Sequence, residues 1–162
     1  MAAEQKPSKD LFVVHAKRDR QTVQDALLDF GEVEEIKGGD NLLLVQLNKD
    51  SADKKTRQSI QDQLGKDEVV QPVLVDESGQ HQYPTGEISV RFERNPSDAE
   101  LKRFAKAHKL AMRRRNEYVP QQVIFEPLDP ADRYVPEVIE EISSDKNVQL
   151  AWANTLSRYQ KL

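Results

Sequence analysis

The chain has 162 residues, 37% hydrophobic and 32% charged, with a net charge of −4 and no cysteine. That length is enough for one ordinary domain or two small ones, and the lean apolar content suits small units with much surface. The missing cysteines exclude disulfides, thiolate metal sites and a cysteine nucleophile. The net charge argues against general polyanion binding, although it is uneven: Arg91 to Arg115 holds nine Lys/Arg against three Asp/Glu.

Residues 1–9 lack the apolar centre of a signal peptide and read as a disordered lead-in. No apolar run is long enough to cross a membrane. A cytoplasmic location is therefore expected for the chain as written, and an exported one if it is cut from a longer precursor.

Leu11 to Ala16 predicts a strand. Val23, Ala26, Leu27 and Phe30 repeat at i, i+3, i+4 and i+7, one face of a helix, with Gly31 as its stop. Val33 to Ile36 follows as a second strand. Lys37 to Asn41, with two glycines, predicts a hairpin turn, and Leu42 to Leu47 a third strand. Ser51 to Leu64 predicts a second helix buried through Ile60 and Leu64. Gly65 ends it, and Val69 to Val75 is the fourth strand. The polar stretch 77–86 reads as a linker.

The order then repeats. Ile88, Val90 and Phe92 alternate inward on a strand. Ser97-Asp98-Ala99-Glu100 has the spacing of a capping box. Leu101, Phe104, Ala105 and His108 form a helix face. Leu110 to Tyr118 and Gln122 to Glu126 are two strands. Val135, Val138, Ile139 and Ile142 form a second helix face, and Val148 to Trp152 begins the last strand. Ile60, Leu64, Asp67, Val70 and Gln71 match Val138, Ile142, Asp145, Val148 and Gln149 at an offset of 78. The expected fold is α+β: two tandem ferredoxin-like plaits (β-α-β-β-α-β), over 10–76 and 87–162, each an antiparallel sheet with both helices on one face.

Three stretches carry a resemblance: Glu87-Ile-Ser-Val-Arg-Phe-Glu93, Ser97-Asp-Ala-Glu-Leu-Lys-Arg-Phe104 and Ile139-Glu-Glu-Ile-Ser-Ser-Asp-Lys-Asn-Val148. Residues 87–162, and more faintly 10–76, resemble the prodomains of subtilisin-like serine proteases, a family that includes free-standing inhibitors. The turn Asp145-Lys146-Asn147-Val148 lacks the proline common there. The resemblance implies a non-enzymatic inhibitor or folding chaperone that lays its C-terminal tail in the protease cleft. It marks Tyr159, Gln160, Lys161 and Leu162 as that tail. Tyr159 and Leu162 have the spacing of two apolar side chains in such a cleft, and an extended peptide adds there as a strand. Family members often carry acidic caps for protease helices after the last strand. Here Trp152-Ala153-Asn154 stands in that place, with Asn154 the one good cap and Trp152 either an anchor or a core aromatic.

Two alternatives remain. One is a regulatory or scaffold interaction module without protease binding. The other is an RNA-binding plait, suggested by the basic stretch from Lys102 to Arg115, although the aromatic-rich strand such modules use is missing. No cofactor or metal is expected. His15, His81 and His108 lack ligand spacing, and Gly38-Gly39 lacks a phosphate-loop lysine. Glu32-Glu34-Glu35 and Glu137-Glu140-Glu141 read as solvated faces.

Overall fold

The computed structural model describes residues 5–36, 41–48 and 53–157. Its strands are β1 (Lys6–His15), β2 (Gly31–Glu35), β3 (Leu42–Leu47), β4 (Val69–Val75), β5 (His81–Phe92), β6 (Leu110–Arg115), β7 (Gln122–Pro127) and β8 (Val148–Ser157). Its α-helices are α1 (Arg20–Leu27), α2 (Lys54–Leu64), α3 (Asp98–His108) and α4 (Val135–Ser143), and a short 3₁₀ turn covers Pro130–Asp132. Two compact units result, one of residues 5–84 together with 156–157 at the end of β8, the other of residues 85–155.

Each unit is a plait of the same topology. In the first, the strand order is β2-β3-β1-β4. In the second it is β6-β7-β5, with β8 on the other side of β5. Counted within each repeat, both orders read 2-3-1-4. This arrangement follows from two β-α-β crossovers sharing one sheet.

Local chemistry sets the helix starts. Asp19 accepts from the Thr22 N–H at 3.3 Å and opens α1. Asp53 accepts from the Thr56 N–H at 2.8 Å and opens α2 at Lys54, inside the expected start at Ser51, which lies outside the described residues. Ser97 and Glu100 form the reciprocal capping box of α3. The Ser97 backbone N–H, and after it the Ser97 hydroxyl, hold the Glu100 carboxyl below its usual range. Lys109 ends α3 in the left-handed conformation, φ 56°.

Alternation decides the cores. In the first unit Phe12, Val14, Leu43, Val45 and Val70 pack beneath Val23, Leu27, Ile60 and Leu64 of the helices. The intervening Leu11, Val13, Leu42 and Leu44 form a second buried cluster with Val73 and Tyr83 on the other sheet face. In the second unit Ile88, Val90, Phe92, Val123 and Phe125 meet Leu101, Phe104, Val138 and Ile142. Phe104 stacks edge-on to Phe92 at 5.0 Å between centroids, within the range aromatic pairs prefer.

Four expectations are corrected. The lead-in 1–9 is not disordered throughout, because β1 begins at Lys6 and pairs Lys6 with Val75 and Pro7 with Leu74. The linker 77–86 is instead a hairpin. Asp76 accepts from the N–H groups of Ser78 and Gln80, each at 2.9 Å, and Gly79 takes φ 86°. The chain then enters β5 at His81 and pairs it with Val75. Gly31 does not cap α1. Leu28 does, and Gly31 is the first residue of β2. Finally, β6 stops at Arg115, where the Asn116 side chain accepts from the N–H groups of Tyr118 and Val119 and turns the chain. The hairpin 37–41 falls mostly outside the described residues.

Candidate protein-binding surface

Residues 88, 90 and 92 of β5 point to the helices, so Glu87, Ser89 and Arg91 occupy the helix-free face of the second unit. That face is polar and tied together. The Ser89 hydroxyl and the Asn154 side-chain oxygen lie 2.6 Å apart, joining β5 to β8. The Asn154 amide reaches Glu87 at 3.5 Å, and its backbone carbonyl accepts from the Thr85 hydroxyl at 3.2 Å. Glu87 also meets Arg114 of β6 at 3.3 Å. Arg91 donates to the Gln122 side chain at 3.2 Å.

Asn154, expected as a cap for a partner's helix, therefore has its side chain engaged within its own sheet. Trp152 is half-buried between buried Ala151 and Ala153, and alternation puts it on the face of Asn154 rather than in the helix-side core. Tyr159, Gln160, Lys161 and Leu162 lie outside the described residues. The last described segment before them is β8, extended through Ser157.

The histidines have separate partners. His15 lies 2.9 Å from the Pro84 carbonyl through Nε2, and desolvation lowers its pKa, against that hydrogen bond. His108 sits between two carboxylates, Nδ1 at 2.7 Å from Glu141 and Nε2 at 3.5 Å from Asp145. Arg133 joins it, donating to the His108 carbonyl at 3.0 Å and approaching Glu141 at 3.8 Å. The two carboxylates contact opposite nitrogens of the ring, which clamps it in place. Among the described residues no group of three or more His, Asp or Glu is arranged to hold a metal ion.

A buried polar network in the first unit escaped the sequence reading. Glu68 is fully buried and accepts from the N–H groups of Lys17 and Arg18, at 3.2 and 3.1 Å, and from Arg18 Nε at 2.7 Å. Arg57 is also buried and donates to the Val70 carbonyl at 2.7 Å. Gln61 donates to the Glu68 carbonyl and accepts from the Val70 N–H. The signal was present: Arg57, Gln61 and Leu64 share the helix face of Ile60 at i, i+4 and i+7. The network fastens α2 to β4, which is a structural duty.

The basic stretch divides between α3 and β6. Arg113 approaches Glu126 at 3.5 Å and Arg115 approaches Asp98 at 3.8 Å. Between α3 and β6 lies a groove of about 620 Å³, lined by Leu101, Ala105, Leu110, Met112 and Leu128 and flanked by Lys102 and Lys106.

No protein-family model and no curated protein matches this chain. Among solved structures, the crystal structure of the acetolactate synthase small subunit from Thermotoga maritima is similar over 98% of this chain and 99% of that one, at 15% identity and a TM-score of 0.30. The tandem plait stands on the strand order of each unit.

Proposed function

We propose that this protein is a non-enzymatic binding protein whose partner is a subtilisin-like serine protease, which it inhibits or helps to fold. The observation that supports this reading is the course of β8. It pairs with β5 at the side of the second plait and is extended strand up to Ser157, shortly before the four residues proposed to enter the cleft, and an extended peptide is what such a groove accepts. The polar helix-free face, with Trp152 and Arg91, supplies a second contact surface.

That second surface is needed on energetic grounds. Burying Tyr159 and Leu162 gains about 1.5–3 kcal/mol each. Ordering the tail backbone costs about 1–2 kcal/mol per residue. The tail alone therefore binds weakly, and the folded unit must hold it in place.

The test is inhibition of a subtilisin-like protease by the full chain, by Leu162→Asp and by a chain ending at Arg158. The full chain should inhibit and both variants should lose most of that inhibition. Equal inhibition by all three would reject the tail mechanism. No inhibition by any of them, across several such proteases, would favour the scaffold reading.

A further inference from the structure

The two plaits carry outer strands of opposite charge. Among the described residues β2 pairs with β3 alone and β6 with β7 alone, so each is the outer strand of its unit. β2 reads Gly-Glu-Val-Glu-Glu and β6 reads Leu-Ala-Met-Arg-Arg-Arg. They are nearly matched in length, five residues against six. Like charges directly opposite one another destabilise a strand pair, so neither edge suits a copy of itself. Each suits the other.

The faces agree as well. Val33 packs with the helix-side cluster, so Glu32 and Glu34 alternate to the helix-free face. On β6, Arg113 and Arg114 reach Glu126 and Glu87, which are on the helix-free face of their own unit. Met112 is on the helix side of β6 and lines the groove with Leu128; the two are 50% and 65% exposed. Leu28, at the end of α1 just before β2, is 57% exposed on its own helix side. If β2 of one copy paired with β6 of another, with the helix sides of those two strands matched, acidic residues would meet basic ones on one face and apolar residues would meet on the other.

We infer that the apolar groove and basic edge of the second plait receive a second copy of this chain, through its β2 strand and Leu28. The contact is heterologous, since different surfaces of the two copies meet, and so it builds a ring or an open chain of copies rather than a two-fold dimer. Lys102 and Lys106 outnumber Asp98 among the charged residues that line the groove, so the seat for Leu28 is basic on balance and adds to the attraction for the acidic edge. The inference rests on the strand edges and is independent of the protease reading.

The test is sedimentation velocity of the full chain over a range of concentrations, at low and at high ionic strength. Two variants accompany it: Glu32→Lys with Glu34→Lys, and Arg113→Glu with Arg114→Glu, each checked for native circular dichroism. The wild type should associate reversibly, and more weakly at high salt. Each variant alone has two edges of like sign and should associate about tenfold more weakly or not at all. An equimolar mixture of the two variants restores an acidic–basic pairing and should regain association. A wild type that stays monomeric throughout would overturn the inference. So would variants that associate alone as well as the wild type, or a mixture that fails to regain association.

Discussion

Replacing Gly31 with alanine would drive a methyl group into the backbone of the next strand. A Cβ at position 31 would lie 1.9 Å from the Gln46 carbonyl oxygen, 2.7 Å from its carbon and 2.9 Å from the Leu47 Cα. All three are backbone atoms, so no side-chain rotation relieves the clash. The strands must part at the Gly31–Leu47 pair, where the neighbouring Asn48 N–H also donates to the Phe30 carbonyl at 3.2 Å. Losing two or three ladder bonds, at about 0.5–1.5 kcal/mol each, together with the packing of Phe30, gives a loss of about 2–4 kcal/mol. For a unit of this size that corresponds to a fall in Tm of roughly 10–25 °C. Urea denaturation followed by far-UV circular dichroism reads it directly. Gly65→Ala is the contrast. Nothing lies within 4 Å of its Cβ position, but φ 90° and ψ −175° leave it in a region reserved for glycine, at a cost of about 1–3 kcal/mol. A Gly31→Ala chain within about 0.5 kcal/mol of the wild type would refute the close approach of β2 to β3 and the reasoning built on it.

Phe104→Ala removes a ring that contacts both Phe92 and Phe125, and should cost about 3–5 kcal/mol by chemical denaturation. Ser97→Ala breaks the capping box of α3 and should cost about 0.5–2 kcal/mol, whereas Ser97→Asp should retain most of the wild-type stability. His15 has its pKa lowered by desolvation, so the folded chain favours the neutral ring. Its contribution is complete above its unfolded value of about 6.5 and declines as pH falls below that. Urea midpoints across this range should fall less in His15→Gln, whose amide can still donate to the Pro84 carbonyl, than in the wild type.

Hydrophobic period was enough to read the plait twice from the sequence, because each strand and helix buries one face of its own. Val23 with Leu27, and Leu101 with Phe104, were legible for that reason. Errors fell where polar residues do structural work. Ser78, Gly79 and Gln80 look like a linker until the Asp76 carboxylate is seen to organise them into a turn. Gly31 looked like a helix stop because glycine commonly is one, while the real demand is room for the Gln46 carbonyl. Asn154 read as a free cap because its hydrogen-bond partner, Ser89, is 65 residues away. Register brings such residues together, and a single sequence does not display register.

The two repeats have diverged in how they treat the sheet face away from their helices. In the first, Leu11, Val13, Leu42 and Leu44 make that face apolar and buried. In the second, the equivalent strand β5 presents Glu87, Ser89 and Arg91 there, linked through Asn154 and Arg114. Val13 and Val90, 77 residues apart, correspond as apolar positions when the first strands of the two halves are aligned by sequence, but Val90 faces its helices and Val13 faces away from them. Sequence alignment of the halves and alignment of their faces therefore differ by one residue on this strand. Such a slip exchanges the two faces of a strand, which accounts for equal folds with unlike surfaces. The first unit follows apolar economy on both faces, while the second keeps a polar face beside β8, the strand that leads to the proposed binding tail.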